Sequence, residues 1–300
     1  MPARPRGSAL LRLLVGGICN TDLELVRGYY GFTGTPGHEF VAEVVDADNR
    51  SLTGRRVVGE INLACAACEW CRKGLGRHCP NRTVLGIAGH PGAFSEFFTL
   101  PERNLHTLDD AIPTERAVFT EPLAAACEIL EQVSIRPCEP VAVLGDGKLG
   151  LLAAMLLHAH GYAVRLFGHH EHKLRIAAAA GVTTELVAGS LPTAAFDWVV
   201  EATGSHEGLR AAAALCRPRG VVILKSTLDG EVSFDAAPIV VNEITIVGSR
   251  CGRFADALPL LARQIVPVEP MIEARYPLRE AARAFEHAAR PGTLKVLLSP

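Results

Sequence analysis

Val141-Ala-Val-Leu-Gly-Asp-Gly-Lys-Leu-Gly150 decides the fold of the second half of this chain. Four apolar residues read as a buried strand, and an apolar helix is predicted over residues 148–160. Between them Gly145, Gly147 and Gly150 stand at G-x-G-x-x-G spacing. In that context the first glycine permits the tight turn. The second lets backbone approach a pyrophosphate, and the third lets helix and strand pack closely. The free amides near Gly147, Lys148 and Leu149 would carry the diphosphate. Working outward, strands are predicted over residues 163–167, 196–202, 221–225 and 244–247, with helices over 171–180 and 207–216. Alternation of this kind predicts an α/β doubly wound parallel sheet, and with it a dinucleotide cofactor.

Cofactor choice turns on the end of the second strand. Dinucleotide folds that take NAD usually place Asp or Glu about 20 residues beyond the glycines, on the ribose 2′-hydroxyl. Here the segment reads Leu166-Phe-Gly-His-His-Glu-His-Lys173, with Gly168 at the position of the acid. Glycine leaves room for a 2′-phosphate, and His169, His170 or Lys173 could pair with it. Glu171 is the competing candidate for the ribose. The balance favours NADP over NAD.

Toward the N-terminus the texture changes. Turns rich in Gly, Pro and Asn separate short apolar runs at residues 9–15, 40–45, 56–59 and 93–99, which predicts irregular β-structure. Near the C-terminus a helix is predicted over 278–289 and a strand over 293–298. Periodicity leaves open which domain they join.

The 300 residues contain 30 Lys plus Arg against 32 Asp plus Glu, so no basic field recruits nucleic acid or anionic lipid. Residues 9–15 superficially suggest a signal peptide, but Arg12 interrupts the apolar run and no small-residue cleavage site follows. No apolar run approaches the roughly 18–20 residues of a membrane helix. A cytoplasmic protein is expected.

Nine cysteines, an odd number, point to a reducing compartment and to metal ligation. Cys65, Cys68, Cys71 and Cys79 fall within fifteen residues, and four thiolates satisfy the tetrahedral preference of Zn²⁺ without leaving an open position. That zinc is expected to be structural. A redox Cys-x-x-Cys pair needs two thiols rather than four, and the spacing departs from that of ferredoxins. A second, dispersed set comprises Cys19-Asn-Thr-Asp22, Gly37-His-Glu39 and Thr120-Glu-Pro122. Cys, His and carboxylate together suit a catalytic zinc with an exchangeable position. Each also has a structural explanation, as a core cysteine, a satisfied histidine and a helix-start charge, and spacing alone does not choose. Cys127, Cys138, Cys216 and Cys251 read as small core residues.

Taken in order, Gly17-Ile-Cys-Asn-Thr-Asp22, Gly37-His-Glu-Phe40, Cys65–Cys79, Glu121-Pro-Leu123, Gly145–Gly150 and Gly292-Thr-Leu-Lys-Val-Leu-Leu298 resemble the zinc-dependent medium-chain alcohol dehydrogenases, nearest the sorbitol and threonine dehydrogenase branch. The resemblance spans essentially the whole chain. It implies a GroES-like, β-rich catalytic domain over residues 1–124 and 267–300, with the family's first hairpin missing, and a Rossmann domain over 125–266. It also implies a catalytic zinc on Cys19 and His38, with Glu39 and Glu121 as the remaining ligand candidates. Thr21 would bond the substrate oxygen, and Asp22 would orient the histidine. The implied activity is hydride transfer between NAD(P) and an alcohol or carbonyl substrate: a polyol, a secondary alcohol or an amino-alcohol. A homodimer or homotetramer is expected, with no nucleic-acid or membrane partner. Glu24 stands where the family often carries a proton-relay histidine. The runner-up is a non-catalytic, zinc-stapled NADP-binding relic of such an enzyme.

Overall fold

The computed structural model describes residues 1–28, 31–137, 139–227, 233 and 235–300. Cys138 lies outside the described residues. The chain divides into two compact units. One comprises Met1–Glu121, Phe254–Arg263 and Ile272–Pro300, and the other Pro122–Arg253 and Gln264–Met271.

The first unit is β-rich. Its strands are β1 (Ser8–Gly17), β2 (Glu39–Asp46), β3 (Arg56–Gly59), β4 (Asn62–Leu63), β5 (Thr83–Leu85), β6 (Gly89–His90), β7 (Phe97–Pro101) and β8 (Leu105–Thr107). Helix α1 (Asn20–Val26) follows β1, while α2 (Glu69–Arg72) and α3 (Thr114–Ala117) are single turns. The run that superficially suggested a signal peptide is the central strand. Ala9, Leu10, Leu11 and Leu13 are buried, and the exposed Arg12 meets Glu43 across the β1–β2 register at 2.7 Å.

In the second unit α4 (Thr120–Gln132), which starts in the first, leads to β9 (Pro140–Leu144), α5 (Lys148–Ala159), β10 (Ala163–Gly168) and α6 (Glu171–Ala179). Next come β11 (Thr183–Leu186), β12 (Phe196–Glu201), α7 (Gly208–Leu215), β13 (Cys216–Leu224), α8 (Ala237–Val241) and β14 (Thr245–Gly248). All six strands run parallel in the order β11-β10-β9-β12-β13-β14. In this doubly wound order the direction of winding reverses between β9 and β12, where ligands bind in such sheets. The Phe167 and Phe196 rings, 5.6 Å apart and edge to face, anchor its core.

The chain then adds α9 (Phe254–Ala262), β15 (Ile272–Pro277), α10 (Ala281–Ala288) and β16 (Lys295–Ser299). Strand β16 pairs antiparallel with β1, Gly17 opposite Leu297, extending the first unit's sheet to β15-β16-β1-β2-β3-β8 with β7 also on β1.

Several elements differ from expectation for local reasons. Residues 93–95 form no strand, because the Ala93 and Phe94 amides bond the carbonyls of Gly37 and Pro36; strand pairing begins at Phe97. Helix α7 stops at Leu215, and Cys216 opens β13, since Pro218 could not continue a helix. A tight turn over residues 278–280 precedes α10. The polar edge strand β11 carries too little apolar pattern to predict. Cys127 and Cys216 are buried and Cys251 is half-buried. No helix among the described residues is long and apolar enough to cross a membrane.

Candidate functional site

Where β1 ends, the chain turns through Ile18 into α1, with Cys19 as the residue that caps the helix. Asp22, fully buried three residues later, returns one carboxylate oxygen to the Cys19 amide at 2.9 Å. Its other oxygen accepts the Gly37 amide and meets His38 Nδ1, both at 3.1 Å. A carboxylate only accepts, so Nδ1 carries the proton and Nε2 is left as the donor atom for an ion. Burial alone would pull His38 down, but the charge of Asp22 and its bond, with Cys19, raise it well above its usual value. Gly37 is required there: φ is +106°, and a Cβ would lie 2.5 Å from the Phe94 ring.

Beside His38, Glu39 opens β2. The Cys19 sulfur, a His38 ring nitrogen and a Glu39 carboxylate oxygen all lie within 4.8 Å of one another. One thiol, one imidazole and one carboxylate make a donor set that fits a zinc ion with a fourth position open. Glu121 is not among these mutually close ligand atoms. Burial, opposed by His38 and reinforced by the charge of Glu39, raises its carboxyl pKa. Thr21 lies half-buried in the first turn of α1. Glu24 pairs with Arg27 at 2.7 Å on the exposed side of that helix.

Sequence reasoning missed Lys295. Its ammonium, fully buried on β16, pairs with Glu39 Oε2 and sits 5.5 Å from the centre of the Phe119 ring. The register supplies the contact. Gly17 lies opposite Glu39 on β2 and Leu297 on β16, and a Cβ at Gly17 would be 2.6 Å from Glu39 Oε2. The available signal was a lone lysine within the apolar run Leu294–Leu298.

The four clustered thiols converge on one point. Cys68 and Cys71 sulfurs are 3.4 Å apart, Cys65 and Cys79 3.5 Å, Cys68 and Cys79 3.7 Å, and Cys65 and Cys71 3.9 Å. A tetrahedral zinc with about 2.3 Å Zn–S bonds spaces its sulfurs about 3.8 Å apart, so the set fits that ion. Ala66 takes φ +60° to turn the knuckle. Amides of Ala67 and Cys68 draw the Cys65 thiol down to about 6, while burial and neighbouring sulfurs push Cys71 up to about 12.

In the second unit the glycine loop is shaped for backbone approach. Gly145 has φ +106°, and its Cβ would strike the Ala202 carbonyl at 2.5 Å. A Cβ on Gly150 would strike the Gly145 carbonyl at 1.9 Å, whereas around Gly147, which caps α5, nothing lies within 4 Å. Lys148 and Leu149 form the first turn of α5. This open cradle of amides fits a dinucleotide diphosphate. At the end of β10, His169 is exposed, but Lys173 is buried with its ammonium 3.9 Å from Asp146. Asp146, inside the fingerprint, was not singled out from the sequence.

Residues 5–110 match the alcohol dehydrogenase GroES-like domain and residues 149–264 the zinc-binding dehydrogenase domain. The D-altritol 5-dehydrogenase of Agrobacterium fabrum is 30% identical over 97% of this chain and 92% of its own length. The chain belongs to the zinc-dependent medium-chain alcohol dehydrogenases. A sorbitol dehydrogenase of Halalkalibacterium halodurans is 28% identical, covering 100% of this chain and 93% of that one. Among solved structures, a zinc-binding dehydrogenase of Sinorhizobium meliloti bound to NADP superposes with a TM-score of 0.91 at 27% identity, covering 100% of this chain and 94% of that chain. This medium-chain dehydrogenase is therefore an oxidoreductase of alcohols that uses zinc and NAD(P), with the GroES-like and Rossmann folds expected. The reading as a non-catalytic relic is not favoured.

Proposed function

We propose that this dehydrogenase interconverts a secondary hydroxyl of a polyol-like substrate and the corresponding ketone, with NADP as the preferred cofactor. The observation that carries the reading is the convergence of the Cys19, His38 and Glu39 donor atoms within 4.8 Å, with Asp22 bonded to both the Cys19 amide and His38 Nδ1. Names of relatives that act on altritol and sorbitol support the polyol class.

In this reading Cys19, His38 and Glu39 hold the catalytic zinc, with Glu121 as a carboxylate in reserve, and Cys65, Cys68, Cys71 and Cys79 hold a structural one. When bound, zinc supplies a Lewis acid that makes an alcohol easier to deprotonate, and NAD(P) supplies the hydride acceptor or donor. Asp22 fixes the His38 tautomer, so that Nε2 points its lone pair at the ion. Thr21 accepts the hydroxyl proton of the substrate and hands it on to water, since Glu24 is occupied by Arg27. Gly145, Gly147, Lys148, Leu149 and Gly150 hold the diphosphate, and the turn through Gly168 and His169 at the end of β10 presents His169 to the adenosine ribose. The domain boundaries implied by the resemblance remain part of this proposal. The eight described cysteines form no disulfide, which supports a reducing, cytoplasmic setting. Strand β14, an edge of its sheet, supports assembly with a second copy.

The test is a panel of polyols, secondary alcohols, aldehydes and amino-alcohols assayed separately with NAD and NADP on protein of counted zinc content. Two zincs per chain and turnover of polyols are expected. One zinc, or turnover retained in metal-verified Cys19→Ala, would overturn it.

A further inference from the structure

The acid expected at the end of the second Rossmann strand is replaced by a carboxylate that arrives from elsewhere. Asp146, the residue between the first two glycines of the fingerprint, is only 6% exposed. One of its oxygens accepts both the His169 and His170 amides at 2.7 Å. His170 Nδ1 lies 3.1 Å from the carboxylate, and the buried Lys173 ammonium 3.9 Å from its second oxygen. Burial would raise this carboxyl, but the amide and ring of His170, with Lys173, hold it below the usual range, so it is ionised at neutral pH. With these donors around it, the carboxylate is spent inside the protein and has little capacity left for a ribose hydroxyl.

The same carboxylate occupies the ground in front of Gly168. A Cβ placed on Gly168 would lie 2.5 Å from Asp146 Oδ2 and 2.6 Å from its Cβ. Contacts that short are prohibitive, and an Asp or Glu there would also set two anions side by side. Position 168 is therefore closed to the ribose-binding acid for as long as Asp146 stands where it does.

We propose that Asp146 sets the cofactor choice at the 2′ position. By filling the space and the amides at the end of β10, it forces Gly168 on the chain and leaves a 2′-phosphate to be met by the exposed His169 and by His170. Lys173, which the sequence suggested as a phosphate partner, instead neutralises Asp146 and keeps the turn from repelling an anion. This inference rests on the proposed dinucleotide function and concerns only which dinucleotide is preferred. Asp146 acts here as a positioning residue.

Binding, measured by NADPH and NADH fluorescence on the zinc-loaded full-length protein, tests it apart from turnover. Wild type should bind NADPH about 10-fold or more tighter than NADH, the scale of one charge-assisted contact. Gly168→Asp alone should bind both cofactors worse. Asp146→Ala combined with Gly168→Asp should prefer NADH, so that the two substitutions are strongly non-additive. Circular dichroism and thermal midpoints report folding; Asp146→Ser, short but able to bond one amide, replaces the alanine if that variant unfolds. Gly168→Asp alone switching the preference as fully as the pair overturns the role of Asp146. So does a wild type that prefers NADH, which also removes the NADP preference proposed above but leaves the dehydrogenase reading standing. A wild type that binds neither cofactor overturns the proposed function itself.

Discussion

Lys295 and Asp22 are bonded to two members of the proposed metal set, Glu39 and His38. The Lys295–Glu39 pair is almost wholly dehydrated, with Lys295 0% and Glu39 1% exposed. Such a pair adds little net stability over an apolar one, but deleting one partner strands a buried charge, at a cost of about 3–5 kcal/mol. Lys295→Met should therefore unfold at markedly lower urea concentration than wild type. Adding Glu39→Gln should recover most of the loss, because the stranded anion disappears. A double variant no more stable than Lys295→Met would show that packing, not charge, explains the deficit. Asp22→Asn tests the other support. An amide can present its NH₂ to His38 Nδ1, which then accepts and leaves the proton on Nε2, the nitrogen that should hold the ion, so zinc affinity should fall roughly 10–100-fold in competition with a chromogenic chelator. Unchanged affinity would remove Asp22 from the site.

At the scale of elements, the segment from Cys65 to Cys79 buries only Cys79. It contains one four-residue helix and a tight turn over residues 76–78; Cys65 is exposed and Trp70 is 48% exposed. A loop with so small a buried surface depends on its ion for order. Removing that zinc with a chelator should open proteolytic sites within residues 65–79, located by mass spectrometry of the fragments, and should change Trp70 emission. Persistent resistance to protease without metal would contradict a structural role. This loop and the glycine fingerprint were legible in the sequence for the same reason: their chemistry is contiguous, and spacing along the chain approximates spacing in the fold. Lys295 and Asp146 were not legible. Lys295 meets Glu39 across 256 positions through a strand register that no local pattern specifies. Asp146 accepts the His169 and His170 amides from more than twenty positions away, a contact no spacing rule specifies. The run at 93–99 was misread in part because apolar residues that bond a turn look like residues that bond a strand.

For the molecule as a whole, the metal-binding sets and the fingerprint belong to different units. Zinc removal should therefore abolish turnover yet leave NADPH fluorescence enhancement within about twofold of the zinc-loaded protein, since the glycine loop shares no residue with either metal set. Assembly is argued from the second unit. Its sheet ends at β14, whose outer edge pairs with no other strand among the described residues. That edge carries Ile246 at 37% exposure, and α8, just before it, shows Val240 at 73% and Val241 at 79%. An exposed edge strand with apolar side chains invites aggregation unless another chain covers it, and a second copy joined edge to edge would cover both at once by two-fold symmetry. Light scattering should then report at least twice the 32.0 kDa chain mass. Ile246→Lys, which places a charge on the edge without touching either metal set or the glycine loop, should shift the mass toward one chain while zinc content stays constant. A monomeric wild type would refute the edge as an interface, and so would an Ile246→Lys protein that assembles as the wild type does.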